Sequence, residues 1–125
     1  MIKRQRQYVL NILRMIEELP KGYSCGVIGR QLTRCSTSVG ANYRAACRAK
    51  SSADFINKLK IVEEEADECL YFMDLLTELK GTDQPLLKEL IKEGDEILAM
   101  VVASVKTASA NRNIKNQKSE IKNLI

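Results

Sequence analysis

The sequence predicts an all-α protein, an antiparallel up-down-up-down four-helix bundle. Three observations carry this. Apolar residues recur at alternating three- and four-residue steps in four long stretches, Pro and Gly punctuate the gaps between them, and no stretch alternates in the two-residue rhythm of a strand. Aromatic residues make up only 5% and Trp is absent, so the core must be built from Leu, Ile, Val and Ala, which suits helix packing. A chain of 125 residues, 45% of them hydrophobic, is long enough for one domain with a core of its own. The expected division is a bundle over 1–110 and a basic C-terminal tail or frayed helix over 111–125.

The first helix is expected over 3–19, with Ile2, Val9, Ile12, Ile16 and Leu19 as its seam. Leu19-Pro20-Lys21-Gly22 stops it, because Pro restricts the residue before it and Gly permits the turn. The second helix runs from 24 to 49 on the seam Ile28, Leu32, Cys35, Val39, Asn42 and Ala46. Its Gly26, Gly29 and Gly40 each weaken a lone helix by about 1 kcal/mol against Ala, so their use is close approach to a neighbour. Asn42 is the odd seam member, since a buried amide needs partners.

The third helix opens at the Ser51-Ser52-Ala53-Asp54 cap and carries the cleanest seam: Phe55, Leu59, Val62, Ala66, Cys69, Met73 and Leu76. It ends near Lys80-Gly81. Thr82-Asp83-Gln84-Pro85 reads as the start of the fourth, whose seam is Leu87, Ile91, Gly94, Leu98, Val101, Val105 and Ala108. Ile114, Ile121, Leu124 and Ile125 leave room for a docked C-terminal turn. Ile56, Leu70, Phe72 and Leu75, with Leu86, Leu90 and Ile97, fall outside the seams and predict second apolar faces of the kind that mark an oligomer interface.

Charge is segregated although the net value is only +4. Residues 21–60 hold eight basic residues against Asp54 alone, and residues 61–80 hold seven acids against Lys80. The last 20 residues are basic again, with Glu120 their one acid. Such a chain presents basic and acidic surfaces in different places.

Catalysis and metal chemistry find little support. There is no His, the commonest general base. The glycines at 22, 26 and 29 are not followed by the Gly-Lys-Ser/Thr of a phosphate loop. The run Glu63-Glu64-Glu65-Ala66-Asp67-Glu68 lacks the Glu-x-x-His motif of bundle di-metal sites and reads as a solvated or ion-paired face. Cys25, Cys35, Cys47 and Cys69 include no C-x-x-C pair, so no metal and no cofactor is expected. The N-terminal residues lack a signal-peptide pattern and no apolar run approaches a membrane span. The expectation is a cytoplasmic protein with free thiols as small packing groups and no membrane partner.

The sharpest candidate site is a basic stripe on the second helix. Arg30, Arg34, Arg44 and Arg48, with Thr37 and Ala41 between them, repeat by fours and threes, which places all four guanidiniums on one face. Lys50, Lys58 and Lys60 are close by in sequence. A linear array of arginine forks suits a nucleic-acid backbone. The same arginines suit Glu64, Glu65 or Glu68 of the third helix equally well, within one subunit or across an interface. Tyr43 is the single aromatic interleaved with the stripe, so phosphate and shape contacts are favoured over base stacking.

Three blocks of sequence carry a family resemblance. They are Leu19-Pro20-Lys21-Gly22 with Gly29-Arg30-Gln31-Leu32, then Thr37-Ser38-Val39-Gly40-Ala41-Asn42-Tyr43-Arg44, then Asp54-Phe55-Ile56-Asn57-Lys58-Leu59 with Glu65-Ala66-Asp67-Glu68. Over residues 8–80 the chain resembles the four-helix-bundle proteins encoded by intervening sequences of 23S ribosomal RNA genes. A related branch is the accessory protein of diversity-generating retroelements. The resemblance implies a homo-oligomeric ring, typically a pentamer, with RNA or DNA and a reverse transcriptase as partners by analogy with that branch. It also puts Arg30, Asn42, Arg44, Glu65 and Glu68 on recurring polar positions. From this we expect a buried polar network of Asn42, Glu65 and Glu68 between the second and third helices. The chain departs from its relatives at Ala45, where Glu is frequent, at Phe72, where Trp is frequent, and at Cys35 and Cys69, where small or small polar residues are usual.

Two readings of function follow. One is a non-enzymatic oligomer that binds nucleic acid through the second-helix face and the basic tail. The other is a protein-interaction or scaffolding ring with no nucleic-acid ligand, in which basic second helices meet acidic third helices across subunits.

Overall fold

Four helices form in the expected order: α1 (Ile2–Glu17), α2 (Tyr23–Cys47), α3 (Ser52–Thr77) and α4 (Pro85–Leu124). The structure, a computed structural model, describes residues 1–124, and no strand occurs among them. Each helix packs against its neighbours in sequence, and α1 closes the bundle against α4; among the described residues the backbones of α1 and α3, and of α2 and α4, do not come close across the diagonal. The arrangement is the square expected when short turns join long helices.

The α2 and α3 seams are buried nearly as their spacing dictates. Ile28, Leu32, Cys35, Val39 and Ala46 face Leu59, Val62, Ala66, Cys69, Met73 and Leu76. Asn42 departs by being only half-buried. On α1 the buried set is Gln5, Tyr8, Ile12 and Met15, while Val9 and Ile16 are half-buried and Ile2 is exposed. The cause lies in the α2 glycines. A methyl at Gly40 would stand 3.3 Å from Val9 Cγ2, and one at Gly29 would stand 3.3 Å from Ile16 Cγ2. Close approach to α2 therefore gives Val9 and Ile16 lateral contacts and turns the next stripe of α1 inward.

The residues expected to form second apolar faces belong to the core instead. Ile56, Leu90 and Ile97 are buried, and Leu70, Phe72, Leu75 and Leu86 pack against the core cluster. A helix that touches two neighbours buries a wider arc than one seam. The exposed large apolar residues are Met1, Ile2, Tyr23, Ile61, Tyr71, Met100, Ile114, Ile121 and Leu124, four of them on α4.

Ser51 caps α3 by accepting from the Asp54 backbone N–H at 3.1 Å. Thr82, expected to open α4, instead finishes α3. Its buried hydroxyl bonds to the carbonyls of Leu76 and, at 2.7 Å, Leu79. Gly81 supplies the positive φ of that turn, +84°, and α4 starts at Pro85, where Pro suits the first helical position.

α4 does not stop at 110. It continues to Leu124, 40 residues or about 60 Å, and every described residue from Ala110 onward is exposed. Ile114, Ile121 and Leu124 are not docked on the bundle; Ile125 lies outside the described residues.

Candidate nucleic-acid interface

At about 100° per residue, Arg30, Arg34 and Arg44 of α2 and Arg48, which caps it, fall within an arc of about 80°. That arc lies opposite the buried face formed by Leu32, Cys35 and Val39. All four arginines are exposed. The helical rise spreads them over about 27 Å.

The row is not uniform. Arg34 leans toward α3 and is committed there: Nη1 donates to Glu65 at 3.0 Å, Nη2 to Glu68 at 2.8 Å, and Nε to Gln31 at 3.2 Å. The hydrogen bond it donates to Glu68 raises the guanidinium pKa further. Among the described residues no carboxylate lies within 4 Å of Arg30, Arg44 or Arg48. The intrasubunit ion pair therefore holds for one arginine of the four.

The expected buried network separates into two unconnected sets. Asn42 donates to the Ser38 carbonyl at 2.9 Å and to Ser38 Oγ at 3.0 Å, inside its own helix. Glu65 and Glu68 serve Arg34, with side chains 18% and 45% exposed, so neither is a buried charge. With Ser38 one turn away, a local bond satisfies the amide without reaching α3.

Other cations join the row from elements distant in sequence. Arg44 leans toward α1 and borders a groove of ≈ 510 Å³ with Lys3, Arg6, Val9, Gly40 and Tyr43. At the C-terminal end of α2, Arg112 and Lys115 of α4 border a second groove of ≈ 480 Å³ with Cys47, Ser51 and Phe55. Arg48 and the exposed Lys50 flank that turn in sequence. Lys3, Arg6, Arg112 and Lys115 gave no periodic signal with the stripe; only the antiparallel packing of α1 and the length of α4 bring them there. Lys58 is half-buried. Lys60 does not join the row, because it borders an α3–α4 groove with Glu63, Glu64, Asp67, Leu98 and Val102. The acids are thus divided between Arg34 on one flank of α3 and Lys60 on the other.

Inside the bundle the thiols of Cys35 and Cys69 meet at 3.2 Å, and all four cysteines are free. The hydrogen bond to Cys35, together with burial, raises the pKa of Cys69. Among the described residues no three metal-ligating side chains converge, and no helix is long and apolar enough to cross a membrane.

No curated protein matches the chain. Among solved structures, a protein of unknown function from the S23 ribosomal protein family of Bacteroides thetaiotaomicron superposes with a TM-score of 0.76 at 30% identity, covering 84% of this chain and 97% of that one. The 23S rRNA-intervening sequence protein family matches residues 1–103, which contain α1 to α3, the arginine row and the bundled part of α4. The chain belongs to the 23S rRNA-intervening sequence protein family.

Proposed function

We propose that this protein is a non-enzymatic binding protein whose ligand is the phosphate backbone of RNA or DNA, held on the outward face of α2. The observation that carries the reading is the division within the arginine row. Arg34 is neutralised by Glu65 and Glu68, while Arg30, Arg44 and Arg48 are exposed with no carboxylate within 4 Å among the described residues. Unpaired guanidiniums spaced along one helix face meet successive phosphates without having to break an ion pair first. Lys3 and Arg6 widen the basic surface at the Arg44 end, and Arg112 and Lys115 extend it beyond Arg48. The grooves beside the row offer two aromatics, Tyr43 in one and Phe55 in the other, both half-buried, so contacts to the backbone and to helix shape dominate over base reading.

Assembly into a ring, with a pentamer as the form the family resemblance implies, belongs to the same reading: it repeats the basic face around one particle. A reverse transcriptase as further partner rests on the retroelement branch alone.

The test is binding to structured RNA and duplex DNA across a salt series, for the wild type and for a variant carrying Arg30→Gln, Arg44→Gln and Arg48→Gln together. The wild type is expected to bind with a steep salt dependence. In the variant the log–log slope should fall by about 0.9 for each duplex-DNA phosphate contact removed. A folded variant that binds with unchanged slope, or a wild type that does not bind near physiological salt, turns the reading to the scaffolding alternative.

A further inference from the structure

Cys35 and Cys69 lie 34 residues apart in sequence and meet in the core at the α2–α3 interface. Both are 0% exposed, and their sulfurs stand 3.2 Å apart. A disulfide bond is about 2.05 Å long, so the pair is about 1 Å from bonding distance. They sit within the apolar core cluster with Leu32, Val39, Val62, Ala66 and Met73. Among the described residues no third metal-ligating side chain joins them.

The two thiols are not equivalent. Cys35 donates to the Leu32 carbonyl of its own helix at 3.7 Å, and Cys69 donates to Cys35. The Cys35 sulfur thus accepts from the partner it would bond. That hydrogen bond holds the Cys35 thiol below its ordinary pKa against the opposing effect of burial, and the Arg34 charge lowers it further. Cys69 is pushed up by the same hydrogen bond and by burial. Cys35 therefore reaches the nucleophilic thiolate form first, with a protonated thiol already at its side. The same crossing carries an ion pair at the surface. Arg34 precedes Cys35, Glu68 precedes Cys69, and Arg34 donates to Glu68 at 2.8 Å. A covalent link at the sulfurs would join helices that the ion pair already holds in register.

We infer that Cys35 and Cys69 are an oxidation site of this protein, a thiol pair that a peroxide converts to a disulfide tying α2 to α3. The Cys35 thiolate attacks one oxygen of hydrogen peroxide. The O–O bond breaks, the sulfur becomes a sulfenic acid, and the leaving hydroxide takes up the proton released by Cys35 to form water. The Cys69 sulfur then attacks the Cys35 sulfur. The S–O bond breaks, and the departing hydroxide takes the Cys69 proton as a second water. Two thiols and one peroxide give one disulfide and two waters, and the peroxide gains the two electrons that the sulfurs lose. Because the second thiol is in contact, the sulfenic acid is captured before another peroxide reaches it. Burial gates the first step, so the pair reacts through opening of the α2–α3 interface and more slowly than the exposed Cys47. The bond closes a loop over residues 35–69, which removes entropy from the unfolded chain and stabilises the bundle.

The test uses the full chain with Cys25→Ser and Cys47→Ser, which leaves this pair alone. The reduced protein is held in hydrogen peroxide without denaturant, the peroxide is removed with catalase, and remaining thiols are blocked with N-ethylmaleimide after unfolding. The expected product is a single chain lighter by two hydrogens that takes up no maleimide, against two maleimides for the untreated chain, and dithiothreitol should restore both thiols. Its guanidinium midpoint should rise by about 0.5–1 M and fall back on reduction. Neither change should occur in Cys35→Ala or in Cys69→Ala. Both thiols still free after about a day, well beyond the seconds to hours of ordinary disulfide formation, overturn the inference. So do chains that gain oxygen as sulfinic or sulfonic acid, chains joined to one another, or a disulfide form with an unchanged or lower midpoint.

Discussion

Tyr8 of α1 packs directly over Gly94 of α4: a methyl at Gly94 would stand 2.6 Å from the Tyr8 hydroxyl oxygen and 2.9 Å from Leu70 Cδ2. Tyr8 is 1% exposed and its hydroxyl has no protein partner. Gly94→Ala gains about 1 kcal/mol of helix propensity but overpacks this contact, which typically costs about 1–3 kcal/mol. The expected net effect by denaturant unfolding is destabilisation. In a Tyr8→Phe background the cost should shrink, because the oxygen at the clash is gone, leaving a coupling of at least about 0.5 kcal/mol in a double-mutant cycle. Additive effects would place the clash at Leu70 instead.

Gln5 is the second polar side chain placed against the core without a partner. It is 1% exposed and neither amide atom makes a hydrogen bond to protein. An unbonded buried amide costs about 1–3 kcal/mol. Gln5→Met keeps the length and removes the polar atoms, so it should raise stability by an amount in that range. A less stable Met variant would show that the amide is satisfied in solution.

Burial pushes the Tyr8 hydroxyl well above its ordinary value of 10.0. Between 10 and the folded value, the unfolded chain has lost this proton and the folded chain has kept it. Stability from this group is therefore complete below pH 10 and declines as pH rises above it, by about 1.4 kcal/mol per pH unit. The measurement is a difference between two chains that share every other group. Thermal unfolding of wild type and Tyr8→Phe between pH 9 and 11 should show the shallower decline in the variant.

The fold was legible where one mechanism set the pattern. The α2 and α3 seams are buried because their heptads face each other, and Pro20 and Pro85 mark turns through the fixed φ of proline. The reading failed where a second contact intervened. Gly29 and Gly40 draw Val9 and Ile16 sideways and turn Gln5, Tyr8 and Met15 inward, and no spacing on α1 alone reports that. Thr82 has the residue type of a helix start but finds the last carbonyls of α3 within reach. In the candidate site, the arginine row was visible as a period. Which arginine is neutralised was not, because separation along the sequence does not say which of them Glu65 and Glu68 reach, and only the lean of Arg34 toward α3 decides. Lys60 lies close to the row in sequence, yet α3 carries it to the α4 side.

The cysteines should separate by burial. Cys47 is exposed and Cys25 half-buried, whereas Cys35 and Cys69 touch in the core. Reaction with a thiol reagent under native conditions should modify Cys47 first and Cys25 next. Cys35 and Cys69 should react only at the rate of opening or unfolding, since the thiolate is the reacting form and burial withholds both solvent and reagent. Fast modification of all four would mean that the α2–α3 interface opens readily.

Arg34 offers the sharpest dissection of the proposed interface, because it shares the row but not the freedom of its neighbours. Its guanidinium already spends its donors on Glu65, Glu68 and Gln31. Arg34→Gln should leave the salt slope of nucleic-acid binding near the wild-type value, while Arg30→Gln, Arg44→Gln or Arg48→Gln should each lower it on duplex DNA by about 0.9 where that residue meets a phosphate. Changing the acids should act in the opposite direction. Glu65→Gln with Glu68→Gln removes two negative charges beside the row and releases Arg34, so affinity and slope should both rise. If Arg34→Gln instead weakens binding as much as its neighbours do, the ion pair opens to meet the ligand and all four arginines act as one surface. If the Glu variants leave binding unchanged, the ligand does not pass this flank of α2, and the contact surface lies toward the α1 side, where Arg44 stands beside Lys3 and Arg6.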